Sequence, residues 1–220
     1  MSRPVVVLFS IVLLIAGAWA AFLEARLFFQ SGTTDQARFD RLEQTGPVAG
    51  LSANSKKIAL IDCNRSLASF YGMFQPPARR QIVFSNCREF ARKVAERNPS
   101  DGLAWHILAE TSAGLDDVKG LNDYLLLSAS VTAHEAWLAD ARVTLGLKNY
   151  AHLTPESKKA IAGDIATLGL ENDSAIRLSR IYMASDENKK IITDTIEKLS
   201  PEIQRRFIRN LRKTQLQQTG

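Results

Sequence analysis

The chain has 220 residues, of which 45% are hydrophobic and 23% charged, an ordinary globular composition that supports one folded domain. Its net charge of +5 comes mostly from the C-terminal end, and elsewhere the signs nearly cancel. A phosphate-binding loop, a Gly-x-Ser-x-Gly elbow and a dinucleotide fingerprint are absent, which excludes the enzyme classes read from those motifs.

The first element is a membrane signal. Residues 4–23, PVVVLFSIVLLIAGAWAAFL, carry no charge, and as a helix they are long enough to cross a ~30 Å hydrocarbon layer. Ala18-Trp19-Ala20 offers a small-x-small signal-peptidase site, but the apolar run exceeds the ~7 to 15 residues usual in a signal peptide and reaches Ala18 without a polar break. An uncleaved anchor over residues 1–23 is therefore expected. Arg3 and the free amine precede the span and favour an inside N-terminus with an exported remainder, an inference weakened by Arg26 and Arg38 beyond it.

Residues 24–55 are expected to form a stalk and linker, with 24–45 as a continuation helix and Gly46-Pro47, Gly50 and the Ser52–Ser55 stretch as breakers. The helical domain is expected over 56–214, with helices near 56–73, 79–97, 101–114, 117–130, 134–147, 155–169, 172–184, 186–199 and 201–214, and a disordered tail over 215–220. The short turns between them suit antiparallel pairs. Thr154-Pro155-Glu156 and Ser200-Pro201-Glu202 each place a hydroxyl N-cap before a proline at the first helical position, with an acid at the positive end of the dipole. Asn98-Pro99-Ser100-Asp101 closes one helix and caps the next.

Cys63 shares a helical face with Leu60, Leu67 and Tyr71, and Cys87 shares one with Val83, Phe90 and Val94. The turn near Gln75-Pro76 is nearly equidistant from the two, so a hairpin brings them level. In an oxidising compartment they can form a disulfide; the alternative is a pair of buried thiols. Two cysteines on different helices with no histidine close in sequence lack the ligand count for structural zinc.

Residues 103–115, LAWHILAETSAGL, and 135–147, EAWLADARVTLGL, align at a shift of about 32 residues, sharing Ala104/Ala136, Trp105/Trp137, Ala109/Ala141, Gly114/Gly146 and Leu115/Leu147. In a helix-turn-helix repeat, small residues let backbones approach while a large aromatic fills the gap to the next pair. This assigns Ala104, Trp105, Leu108, Ala109, Ala136, Trp137 and Ala141 to a repeat core, with both tryptophans as packing residues. The stretch NPSDGLAWHILAETSAG resembles the first helix of a tetratricopeptide repeat, whose Trp, Leu and small-residue positions match Trp105, Leu108 and Ala109. The second helix departs from the family, with Leu121, Leu125 and Ser128 at its small positions, and Asp140 stands in the second copy where Leu108 stands in the first. The resemblance covers roughly residues 80–150. It implies an all-α fold: an N-terminal transmembrane helix followed by a tetratricopeptide-like array of antiparallel helix pairs, with a concave face for protein partners.

Chemistry is harder to find. His106, His134 and His152 stand apart, and Leu138 occupies the place of the second histidine in a zinc-protease helix. Asp62 and Asp140 read as salt-bridge or helix-end partners. The expectation is a protein without enzymatic activity, cofactor or metal. Tyr124, Arg142, Tyr150 and Arg177 are candidate groove contacts by placement. In the last helix Ile203, Phe207 and Leu211 form an apolar stripe, and Arg205, Arg206, Arg209, Arg212 and Lys213 form a basic surface, either the polar face of a terminal cap or a contact for acidic lipid or an acidic partner.

The whole layout, with a span, "DC" in one helix, "C" in the next, NPSDGLAW and HEAWLADAR, resembles small membrane-anchored helical proteins found with bacterial surface-polysaccharide genes. That implies a single-pass protein of the bacterial inner membrane with its C-terminal domain in the periplasm. Its expected role is a scaffold or adaptor for protein partners in a membrane or envelope complex, and nucleic acid is not expected as a partner. A polysaccharide-binding or processing accessory and a cytoplasm-facing adaptor are the alternatives.

Overall fold

Twelve α-helices carry the chain in the computed structural model, which describes residues 3–30 and 34–219; no strand occurs among the described residues. They are α1 (Arg3–Gln30), α2 (Asp35–Gln44), α3 (Ala53–Ala68), the single turn α4 (Phe70–Met73), α5 (Pro77–Arg97), α6 (Gly102–Gly114), α7 (Val118–Val131), α8 (Ala136–Lys148), α9 (Pro155–Gly169), α10 (Asn172–Met183), α11 (Asp186–Ile196) and α12 (Pro201–Thr219). Caps read from the sequence open two of them. Thr154 Oγ1 accepts the Ser157 N–H at 3.2 Å ahead of Pro155, and Asp101 Oδ1 accepts the Ala104 N–H at 3.0 Å.

Within α1, Pro4–Ala25 has a mean hydropathy of 2.7 over 22 residues with none of it buried, long and apolar enough to cross a membrane. The stalk expected beyond it is corrected by α2. Residues 31–33 lie outside the described residues, but α2 packs on α3 and α4 and buries Phe39 and Leu42, because these two lie three residues apart on one face. Cys63 and Cys87, both wholly buried, form a disulfide between α3 and α5 with their Cα atoms 5.9 Å apart. Beside it Asp62 receives Arg41 at 2.6 Å and Arg38 at 3.4 Å. Arg79 pairs with Asp40 and Glu43 of α2 and lies 5.3 Å over the Phe39 ring.

The chain divides into two compact units, up to Ala91 and from Arg92, where one helical domain over 56–214 was expected. The disulfide and the ion pairs of Asp62 and Arg79 explain the difference, since they tie α2, α3 and the first turns of α5 into a core of their own.

In the second unit each helix from α6 to α10 packs both on its successor and on the helix after that. The contacts run α6 with α7 and α8, α7 with α8 and α9, α8 with α9 and α10, α9 with α10 and α11, and α10 with α11 and α12. This leaves α6, α8, α10 and α12 as one run and α7, α9 and α11 as the other, around a core that includes Leu121, Leu125, Val143, Ile161, Ile165, Leu168 and Leu178. Two glycines permit the closest approaches. A Cβ at Gly102 would stand 2.3 Å from Thr132 Oγ1, and one at Gly146 would stand 2.5 Å from Ile161 Cδ1.

The buried faces of α6 and α8 repeat, but not in the frame of the shared letters. At a shift of 35 residues Leu103 matches Leu138, Ala104 matches Ala139, Ile107 matches Arg142, Leu108 matches Val143 and Thr111 matches Gly146, all buried. The frame at about 32 fails: Ala104 and Ala109 are wholly buried, whereas Ala136 and Ala141 are half-buried and Trp137 is 41% exposed. Assigning Trp137 and Ala141 to the core is thus corrected, while the half-buried Ala136 packs against it. Trp105 is the fourth residue of α6 and Trp137 the second of α8, so the two rings leave their helices at different levels. At the C-terminus α12 buries Thr214 and continues to Thr219, so residues 215–219 of the expected tail are helical; Gly220 lies outside the described residues.

Replacing Cys63 or Cys87 with Ser removes a cross-link between positions 24 apart. Loop entropy alone puts the loss at roughly 3 kcal/mol, which denaturant unfolding should register. Thiol labelling of the unreduced, denatured chain should find neither sulfur free.

Candidate functional site

The polar centre of the second unit is built on Arg142. Its guanidinium grips Asp164 of α9 through two bonds, Nε to Oδ2 at 2.8 Å and Nη2 to Oδ1 at 2.6 Å. Nη1 donates to Thr132 Oγ1 at 3.0 Å and Nη2 to the Thr132 carbonyl at 3.2 Å, at the end of α7. The Ser128 hydroxyl, 3.3 Å from Nη1, donates to the Gly102 carbonyl at 2.8 Å and so brings in the start of α6. Arg142 has no exposed surface, which corrects its placement as a groove contact: it sits on the inward face of α8, where Asp164 supplies a counter-charge that the sequence alone does not pair with it. Burial raises the Asp164 carboxyl above its ordinary range, against the pull of Arg142.

Two further titratable groups of α6 lie in the interior. Burial, reinforced by the Arg142 charge, lowers His106 to about 3, so the ring is neutral, and its Nδ1 has no hydrogen-bond partner. Burial raises Glu110 to about 8 despite the opposing Lys148 charge. Glu110 is half-buried as a residue, but its Oε2 is fully enclosed without a partner, and that atom explains the shift. Among the described residues neither His106 Nδ1 nor Glu110 Oε2 meets an acid–base partner at hydrogen-bond distance.

A half-open cleft of about 350 Å³ lies between α8 and the α10–α11 turn, lined by Thr144, Leu147 and Lys148 on one side and Ile181, Ser185, Glu187 and Asn188 on the other. One turn back along each helix, Asp140 of α8 and Arg177 of α10 pair at 3.7 Å. Burial raises the Asp140 carboxyl, and Arg177 opposes the shift. Another turn back is the exposed Trp137 ring, whose Nε1–H donates to Glu135 at 3.0 Å. Trp137, Asp140, Thr144 and Lys148 thus follow one line along α8 at helical spacing.

Of the four groove residues read from sequence, Arg177 alone borders this line. Tyr124 is half-buried and stacks on Trp105 with ring centres 5.9 Å apart, while the Trp105 Nε1–H donates to the Pro99 carbonyl at 2.7 Å. Tyr150 is half-buried in a short 3-10 turn with the Lys158 ammonium 4.8 Å over its ring. Sequence reasoning missed the Asp164 partner and the cleft itself; the spacing of Trp137, Thr144 and Lys148 on the polar side of α8 was the available signal. In α12, Phe207 enters the core, and Arg206 donates to the Leu170 carbonyl at the end of α9, capping its negative end. Arg205, Arg209, Arg212 and Lys213 are exposed, with Arg209 3.3 Å from Asn172 Oδ1.

Comparison with known proteins finds no matching family model, no matching curated protein and no matching solved structure. Among the described residues no group of three or more His, Cys, Asp or Glu side chains is placed to hold a metal ion.

Asp164→Ala leaves Arg142 buried without its counter-ion and should cost about 3 to 5 kcal/mol of unfolding free energy. Replacing both partners with apolar residues should recover most of that loss in a double-mutant cycle.

Glu110 gives a pH signature. Its folded pKa of about 8 lies above the ordinary 4.5, so its contribution to stability is complete below 4.5 and is lost as pH rises through 8. Glu110→Gln keeps a neutral side chain, so its melting temperature should gain on that of the parent as pH rises across this window. A gap that stays constant with pH would show that the carboxyl does not titrate there.

Proposed function

We propose that this chain is a single-pass membrane-anchored scaffold or adaptor, whose helical-repeat domain binds a protein partner in a bacterial envelope complex. The observation that carries the reading is the open cleft along α8 and α10. It has an apolar floor at Leu147 and Ile181, charges of both signs at its rim in Lys148 and Glu187, and the exposed Trp137 farther along α8. Such a surface suits an extended or helical segment that seats an apolar side chain in the cleft. The apolar span supports anchoring, which confines the encounter to the membrane surface and raises the effective concentration.

The succession of helix contacts and the repeated burial pattern of α6 and α8 support a tetratricopeptide-like array of antiparallel pairs. The disulfide favours an exported, oxidising location, hence the periplasmic side of an inner membrane, over a cytoplasm-facing adaptor. On the resemblance of its layout alone, the complex is taken to serve surface-polysaccharide export or polymerisation.

A photo-crosslinking residue at Thr144 should capture a partner in intact membranes, and the same residue at the exposed Lys159 should not. Trp137→Ala should abolish that capture while shifting stability by less than about 0.5 kcal/mol, as for a surface substitution. Equal capture at both positions, or capture unchanged by Trp137→Ala, would remove the cleft from the proposal.

A further inference from the structure

The first unit holds an apolar surface that the adaptor reading leaves unused. Phe70 and Phe74 are 72% and 71% exposed with ring centres 4.4 Å apart, and Met73 between them is 45% exposed. Scattered exposed apolar residues are ordinary on a protein surface, but these are held out by a rigid turn. Ser69 Oγ donates to the Ser66 carbonyl and accepts the Gly72 N–H, each at 2.9 Å, and a Cβ at Gly72 would stand 2.2 Å from the Ser66 carbonyl oxygen. The rings are therefore presented in a fixed arrangement, with little ordering left to accompany a contact.

What they meet is indicated by the other end of α3. Glu24, at the end of the apolar span, accepts the Leu51 and Ser52 N–H groups through Oε1 at 2.6 Å each and the Ser52 hydroxyl through Oε2 at 3.0 Å. This latch fixes the start of α3 beside the end of the apolar run, which on the anchored reading is the level where the span leaves the hydrocarbon, and it leaves Leu51 64% exposed there. From the latch, α3 extends about 24 Å to the aromatic turn at the helical rise per residue. Its outer line carries Lys57 and Arg65, both exposed, while its single acid, Asp62, is buried against Arg41. The exposed line thus carries two basic residues, with apolar residues at both ends, the composition of an element that lies in a bilayer interface.

We propose that α3 and α4 lie along an anionic bilayer surface, with Phe70, Met73 and Phe74 inserted among the headgroups and Lys57 and Arg65 facing anionic lipid. The inference rests on the anchored reading above. The first unit then rides on the membrane as a plate and is not suspended from it by a tether.

The test uses the full chain in nanodiscs of mixed phosphatidylcholine and phosphatidylglycerol. Because both native cysteines are locked in the buried disulfide, single spin labels can be placed through Phe70→Cys or Phe74→Cys, with Leu14→Cys in the span and Asp194→Cys on an exposed helix as references. The labels at 70 and 74 should be several-fold less accessible to a water-soluble nickel chelate than the label at 194. Adding Lys57→Glu and Arg65→Glu should return them toward the value at 194 without altering the label at 14. If the label at 14 is freely accessible, the anchored reading itself fails. If it is shielded while those at 70 and 74 match 194, the interface proposal alone is overturned. Spin–spin broadening at 70 and 74 that grows with the number of chains per disc would assign the patch to a second copy and overturn it as well.

Discussion

The second unit depends on one buried pair of charges. Burying a guanidinium and a carboxylate costs several kcal/mol for each ion, and the cost is offset only where geometry is good and every polar hydrogen is occupied. Arg142 meets that condition by drawing acceptors from the ends of several elements: Asp164 of α9, Ser128 and Thr132 at the end of α7, and through Ser128 the first carbonyl of α6. The pair consequently acts more on register than on net stability. A slip of α8 along α9 by one residue would strand both charges, whereas the aliphatic contacts around Ile161 and Ile165 would tolerate it far better.

The same charge shapes its surroundings. His106 is kept neutral by burial and by the neighbouring guanidinium, so a residue type usually sought as a base is here a packing group. With the interior committed to holding the helices in place, the exposed features include the line of Trp137, Thr144 and Lys148 on α8 in one unit and the aromatic turn after α3 in the other. The two units differ in how they are tied together. One relies on a cross-link, the buried Asp62 ion pairs and the half-exposed Arg79 pairs over a small core, the other on a larger apolar core around the Arg142–Asp164 pair.

Much of the helical framework was legible from local chemistry. Thr154 before Pro155 and Asp101 before Gly102 act within one turn, so their effect on helix starts needs no knowledge of distant residues. The pairing of Cys63 with Cys87 was legible for a similar reason, since a short hairpin fixes which positions come level. Legibility ended where the partner was remote in sequence. Arg142 and Asp164 are 22 residues apart on different helices, and a lone arginine near an aspartate at 140 reads as a surface charge until the fold turns it inward. Trp137 misled in the opposite way: the letters Ala-Trp recur, but α8 begins later relative to them than α6 does, and the ring that packs in one copy is bared in the other.

That displacement of letters against burial bears on how the chain could be cut and rejoined. A segment exchanged or duplicated in the frame of the shared Ala-Trp would set Leu138 and Val143 where the first copy has His106 and Thr111, and would carry Arg142 to the place of Glu110. Measured by what faces the core, the transferable unit begins at Leu103 and ends at Trp137, and a chimera spliced at those borders would keep Leu138, Ala139, Arg142, Val143 and Gly146 at buried positions.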